Sequence, residues 1–357
     1  MSKNSGFAAG TSEVKAGLPM NVYVTSDSDA GRAYEKTRGL PIDPNALAPG
    51  LPKTPAEDLV FHGGKTIHDL HFVNFYLGGK SSWDLEEVKS IDQAIDGAMS
   101  DRQLNNVMTQ YFDDDNISSK FDGSEILEVD TPPTFFNDTG EKLVEDLHSE
   151  GKLDNFDLES TVFNFILPKK IVLETKTSEQ AAKSTQKKPD HNDDDKDEDG
   201  EKPFFPEVEA NSLRGLGGYH GSIHRETGES RKTIYYSFNA YSEKMDDGRT
   251  NGIPVFDENW KNIVATLYHE LNEARTDPDV GDVIKGGPIE LLGWNSRNGQ
   301  ECGDFPVEEA FGSGNPGLVM KEVAIDGNQV VPIQLQYSNF VHGPEGRISH
   351  PHPRNSQ

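Results

Sequence analysis

One segment constrains this chain more than any other: residues 257–275, DENWKNIVATLYHELNEAR. Trp260, Ile263, Val264, Leu267, Leu271 and Ala274 recur at i, i+3, i+4 and i+7 spacing, which predicts a helix with one apolar stripe to bury. Asp257 is the predicted N-cap, because a carboxylate there accepts from the first unpaired amides. His269 and Glu273 are four apart and fall one turn above each other on the side away from the stripe, with Glu270 beside them. One face of this helix packs a core while the other gathers an imidazole and two carboxylates.

The helix needs a sheet to pack on, and four apolar runs predict strands: 66–77, 160–167, 232–241 and 330–337, the last continuing toward Val341. Two further helices are predicted near 84–99 (Leu85, Val88, Ile91, Ala94, Ile95, Met99) and 101–112 (Leu104, Val107, Met108, Tyr111). Strands and helices interleaved in this order imply an α+β (mixed α/β) fold rather than a bundle or a sandwich. No repeat of 20–50 residues is visible. Residues 1–58, rich in Gly, Pro, Ser and charge, read as an extended arm, 59–345 as one domain, and 346–357 as a tail. Within the domain, 175–203 lacks aromatic and β-branched aliphatic residues and ends in an acidic run, which predicts a disordered insertion.

Asp and Glu number 61 against 34 Lys and Arg, a formal net charge of −27. Such a chain repels phosphate backbones and anionic lipid, so neither a nucleic acid nor a membrane is an expected partner. No window reaches the roughly 18 apolar residues of a membrane helix. Residues 1–20 lack the apolar core of a secretory signal, and a single cysteine, Cys302, closes no intrachain disulfide. A soluble, cytoplasmic protein is the expectation, with export by an unconventional route left open. The acidity then serves solubility, a solvated linker or cation binding. Asp195, Asp197, Asp199 and Gly200 mimic the opening of a calcium loop, but its twelfth position is Pro206 where a bidentate Glu is needed, so a solvated linker is the better account.

In H-E-x-x-H enzymes two histidines bind zinc and the glutamate polarises the metal-bound water. Here the motif is His269-Glu270-Leu271-Asn272-Glu273, with a carboxylate in place of the second imidazole, an acceptable zinc ligand. The competing reading is an ordinary surface face with i, i+4 pairing. A third ligand is sought at Asp279, ten residues after His269, or in Glu301-Cys302-Gly303-Asp304, where Glu301 or Asp304 closes the site. Cys302 is read as an inert buried residue. His220 and His224, in the glycine-flanked stretch 217–224, read as loop histidines, His220 being the one nearer to a site; His68 and His71 read as structural, and His350 and His352 as tail.

Residues 268–278, YHELNEARTDP, resemble the "HELxEAxTDP" segment of the phosphate-induced (EXORDIUM-like) proteins and their bacterial and fungal relatives. Three other stretches are similar in the same order: the strand between Gly63-Gly64-Lys65 and Gly78-Gly79, the loop Gly218-Tyr219-His220, and Glu301-Cys302-Gly303-Asp304 against that family's "EIxDLC". The resemblance spans roughly residues 60–345. It implies a site constellation of His269, Glu270, Glu273, Asp277, Glu301, Asp304 and His220. It also implies a secreted, cell-wall-associated protein, but the cysteines expected before Gly218-Tyr219-His220 and after the acidic pair are replaced by Leu216-Gly217 and Phe305-Pro306. Motif and resemblance together lead to an expected zincin-like mixed sheet with an active-site helix. The expected function is that of a zinc-dependent, peptidase-like hydrolase of a peptide or protein substrate. Zinc would be held by His269, Glu273 and Glu301 or Asp304, with Glu270 as general base and His220 as proton donor or oxyanion partner. The alternatives are a non-catalytic binding or growth-associated protein with a structural metal or none, and a Ca2+-stabilised module. Oligomeric state is left open.

Overall fold

Alternation along the strands divides the apolar side chains between two cores, and that division places every helix. The computed structural model describes residues 51–113, 116–180, 210–227, 230–284 and 287–352. Strand β1 (Asp69–Tyr76) is followed by helices α1 (Leu85–Ser100) and α2 (Arg102–Met108), then strand β2 (Ser118–Ile126), helix α3 (Asn137–Ser149) and strand β3 (Thr161–Ile166). A hairpin of β4 (Gly218–Thr227) and β5 (Ser230–Asn239) leads to α4 (Asn259–Thr276) and the short α5 (Val280–Ile284). Helix α6 (Asp304–Gly312) and the hairpin of β6 (Met320–Ala324) and β7 (Val330–Gln334) close the domain. The central sheet runs β2-β1-β3-β5-β4; all neighbours are parallel except β4, an edge strand antiparallel to β5.

In β1, Leu70, Phe72 and Tyr76 face one way and Val73 and Phe75 the other, the period-2 pattern of a strand buried on both sides. The first set, with Val162, Ile166 and Tyr235, packs against α1 and α4. The second, with Phe163, Phe165 and Phe238, packs against Val144 and Leu147 of α3. The fold is thus a mixed α/β arrangement of helix, sheet and helix layers. Among the described residues no helix is long and apolar enough to cross a membrane.

The predicted strands and helices recur with shifted ends, except that 330–337 divides into β7 and a separate short strand, Gln336–Ser338, paired with Gly343–Glu345; three further differences are physical. Helix α4 begins at Asn259 with Glu258 at the cap position and no side-chain cap bond, the Asp257 and Glu258 carboxylates both being held by Lys261 Nζ, at 2.8 and 3.1 Å. The 101–112 helix becomes α2, capped by Asp101 accepting from Leu104 N–H, followed by a 3₁₀ turn at Thr109–Tyr111. The stretch around Gly218-Tyr219-His220 is edge strand rather than loop, because pairing with β5 satisfies its backbone. Strand β2 and helices α3 and α6 carry weak apolar patterns and lie outside the predicted elements. Of the arm, 51–58 is described, and Leu51 is buried in the α4 core. Of the acidic insertion, 175–180 is described, with Thr175 N–H donating to Ala210 O, and the calcium-loop mimic lies outside the described residues. In the tail, Arg347 bonds Asp101, and His352 stacks on Phe340.

Residues 261–276 of α4 are buried throughout. The helix turns its apolar stripe to the sheet and α1, while β7 and the start of α6 cover the opposite side, so the polar face is interior rather than solvated. Arg275, in its last turn, is fully buried and holds this placement. Its guanidinium donates to Asn105 Oδ1 at 3.0 Å, Ser118 O at 2.6 Å and His68 O at 3.2 Å, tying α4 to α2 and to the start of two strands. Burial lowers the Arg275 pKa to about 10, still charged at neutral pH. We predict that Arg275→Met, which leaves those acceptors unpaired, lowers stability by about 3 kcal/mol. Urea denaturation should show a lower midpoint at unchanged slope, and an unchanged midpoint refutes the assignment.

Candidate metal centre

The polar face of α4 meets the even-numbered side of β4 at Gly218 and His220, while Ser222 and His224 farther along face Asp282 and Asp279. Closest approach occurs at glycines. A Cβ on Gly218 would lie 2.8 Å from Glu270 Oε1, and one on Gly303 would lie 2.7 Å from His269 Cε1 and 2.9 Å from Glu273 Oε1. Neither glycine has an unusual φ on this account; each serves by having no side chain.

His269 is oriented by Gln334 of β7. Gln334 Nε2 donates to Gly303 O at 2.6 Å, so its Oε1 is left to accept from His269 Nδ1 at 2.6 Å. This assigns the proton to Nδ1 and turns the basic Nε2 toward Glu273 Oε2 at 2.9 Å and Asp304 Oδ1 at 3.9 Å. Donors bound at zinc distances in a tetrahedral site lie about 3.4 Å apart, between those two separations. His269, Glu273 and Asp304 offer donor atoms all within 4.8 Å of one another, and His220, Glu270 and Glu273 form an adjoining group that shares Glu273. Hydrogen-bonding the far nitrogen of a metal histidine to an oriented acceptor is the usual outer support of such a site.

On the other side, His220 Nε2 donates to Asp277 O at 3.1 Å. Its Nδ1 faces Glu270 Oε2 at 3.4 Å. Glu301 Oε1 lies 3.5 Å from His220 Nε2, while its backbone N–H donates to Asp304 Oδ2 at 3.0 Å. The two rival third ligands thus sit on different histidines: Asp304 beside His269, Glu301 beside His220. Asp277 follows the end of α4, with Oδ1 accepting from Gly293 N–H at 2.8 Å. Asp279 lies apart, against His224. Cys302 is buried among Leu59, Met108, Tyr111 and Tyr337; its thiol donates to Gln336 Oε1, and burial pushes its pKa well up.

Burial, then mutual repulsion, raises Glu273 and Glu301 well above the usual carboxyl range. Burial is also the main cause of the rise in Asp277, to about 7, and Asp304, to about 6, where His269 opposes it. Among the described residues the ion pairs of Glu273, Glu301 and Asp304 are all to histidine. A buried cluster of this sign holds together with protons or with a cation, and its donor set fits a small divalent ion.

Residues the sequence reading passed over complete the centre. Gln334 is legible only as an amide inside the apolar run 330–335, and Gly303 as a glycine between two acids. A buried chain of side chains also crosses the helix-facing side of the sheet: Asp92 accepts from Asn74, Asn74 from Asn164, Asn164 from Ser237, and Ser237 from Asn239, beside Gly218. No family model, no curated protein and no solved structure matched the chain.

Two predictions arise here. Gly303→Ala pushes the His269 ring off Gln334 and should cost about 1–3 kcal/mol, read by urea denaturation. Wild-type stability in that variant refutes the close packing. In metal-free protein, Asp304 and Asp277, with Glu308 at about 7 and Glu309 at about 8 raised by burial, titrate higher folded than unfolded. Unfolding then releases protons, so their stability contribution is complete below about pH 4 and is lost as pH rises through 6 to 8. The melting temperature should fall between pH 5 and 8; a rise over that window contradicts it.

Proposed function

We propose that the chain is a zincin-like, metal-dependent hydrolase of peptide or protein substrates, with zinc held by His269, Glu273 and Asp304. The observation that carries this reading is the convergence of one oriented imidazole nitrogen and two carboxylates on the buried face of α4, with Glu270 adjoining them. A zincin-like scaffold is supported by the position of that helix beneath a mixed sheet whose antiparallel edge strand, β4, runs along the site. The resemblance to the EXORDIUM-like proteins supports the same constellation, because His269, Glu270, Glu273, Asp304, Glu301 and His220 adjoin one another and the Asp277 carbonyl meets His220.

Zinc bound there supplies a Lewis acid and acidifies a water. The chain's own residues handle the proton. Glu270 Oε2 accepts it and passes it to His220 Nδ1, 3.4 Å away, while the Nε2–H of His220 stays anchored on the Asp277 carbonyl. With both nitrogens so engaged, His220 serves as proton partner rather than oxyanion donor. Two carboxylates in the ligand set lower the positive charge felt at the centre, which predicts an alkaline optimum.

A second reading, a structural ion in a non-catalytic protein, is favoured by one observation. His269, Glu270 and Glu273 are each at most 1 % exposed, whereas a catalytic zinc keeps a position open. Calcium is disfavoured by the imidazole donor, since that ion takes six to eight oxygens.

Metal analysis of protein purified without added metal, beside Glu270→Gln and His269→Gln, separates the readings. The hydrolase reading expects zinc in the wild type and in Glu270→Gln, with peptide hydrolysis reduced about 10²–10⁴-fold in the latter. It also expects one equivalent lost from folded His269→Gln. Zinc without hydrolysis across a broad peptide library establishes the structural reading. Folded His269→Gln with wild-type zinc content overturns both.

A further inference from the structure

A second cluster lies farther along the same edge strand and is not used by the proposed hydrolytic centre. We propose that His224, Asp279 and Asp282 form a separate divalent-cation site that pins α5 to β4, with zinc as the ion. The inference stands independently of the proposed hydrolytic function.

The donor atoms of the three residues lie within 4.8 Å of one another. His224 Nε2 is 3.4 Å from Asp279 Oδ1 and in close contact with Asp282 Oδ2. Despite that proximity, Nε2 makes no hydrogen bond, so its N–H direction is aimed at neither carboxylate. His224 Nδ1 is meanwhile engaged by Thr233 Oγ1 at 2.8 Å, which fixes the ring and leaves Nε2 as the coordinating nitrogen. The Asp279 side chain is 6 % exposed, and its Oδ1, aimed into the cluster, accepts no hydrogen bond. A buried carboxylate oxygen in that state calls for a cation.

Among the described residues, the ion pairs of Asp279 and Asp282 are to His224 alone. Lys65, whose charge reaches Asp279, is held by Glu159 Oε2 at 2.6 Å and lies over the Tyr235 ring. A neutral imidazole with two carboxylates carries two negative charges, which one divalent ion balances. The mixed nitrogen and oxygen donor set suits zinc better than calcium. His224 and Asp282 are 19 % and 23 % exposed at their side chains, so further positions are open to water.

The site is distinct from the His269 centre. His220 and His224 are four residues apart on one strand, about 13 Å, far beyond the roughly 4 Å of metals that share a substrate. The ligands instead join β4 to α5 and to the turn between α4 and α5. The ion's effect is to fix the exit of the helix that carries His269 and Glu273.

The test uses the full chain, stripped of metal and titrated with zinc chloride by calorimetry, with bound metal counted after dialysis. Wild type should take up two equivalents, Asp279→Asn/Asp282→Asn one, and His269→Gln/Glu273→Gln one, so loss of either centre is seen separately. The equivalent retained by His269→Gln/Glu273→Gln should raise its melting temperature, and His224→Gln added to that variant should abolish both. Circular dichroism verifies folding, and His224→Gln alone replaces the aspartate pair if that variant does not fold. Wild-type stoichiometry in a folded site variant overturns the proposal, as does a folded His269→Gln/Glu273→Gln protein that binds no zinc or binds calcium instead.

Discussion

The burial of both faces of α4 is the constraint on which the rest of the structure depends. An apolar stripe facing the sheet asks nothing unusual of a helix. Enclosing the opposite face, with His269, Glu270 and Glu273 on it, removes imidazole and carboxylates from water, and each then needs a partner or a cation. The covering segments answer that need residue by residue. Gln334 Oε1 accepts a hydrogen bond from His269 Nδ1–H, Gly303 N–H donates to Glu273 Oε1 at 2.9 Å, and His220 meets Glu270. The acidic pressure that remains, expressed in the raised carboxyls, is the physical reason to place a divalent ion there.

The sheet prepares this enclosure. Its helix-facing side is apolar under α1, but along one line it carries Asn74, Asn164, Ser237 and Asn239, each bonded to the next. Buried amides are tolerated when their hydrogen bonds are complete, and such a row favours one strand register over a slip of two. The row ends at Gly218, where the edge strand comes close to Glu270. The edge strand therefore has two roles in the fold: it closes the parallel sheet, and its inward side chains line both clusters of histidine and carboxylate.

Much of the architecture was legible because its signals are local. The strands β1, β3 and β5 are dense in β-branched and aromatic residues, and α1, α2 and α4 repeat with helical period. Strand β2, SSKFDGSEI, is a half-exposed edge whose polar side chains hide its pairing with β1. The stretch around Gly218-Tyr219-His220 looked like a loop because glycine and histidine lack strand preference, and only the hydrogen-bonded hairpin with β5 makes it extended. Neither Asp257 nor Glu258 caps α4 with its side chain, since Lys261 holds both carboxylates, a side-chain contest that a single-residue preference does not register.

The sequence by itself determined which residue types could act: the 3.6-residue period puts His269 and Glu273 on one face next to Glu270, and the short run 301–304 supplies two acids around a glycine. Whether that face met water or protein was decided only by tertiary structure, because helical spacing is the same for a solvated ion-pair row and an interior cluster. The fold likewise settled which acid belongs to which histidine. Asp304 approaches His269 and Glu301 approaches His220, since the turn at Gly303 sends neighbouring carboxylates in different directions. Gln334 and the pairing of His224 with Asp279 and Asp282 join residues more than 50 positions apart, and no periodicity within one segment encodes a contact at that range.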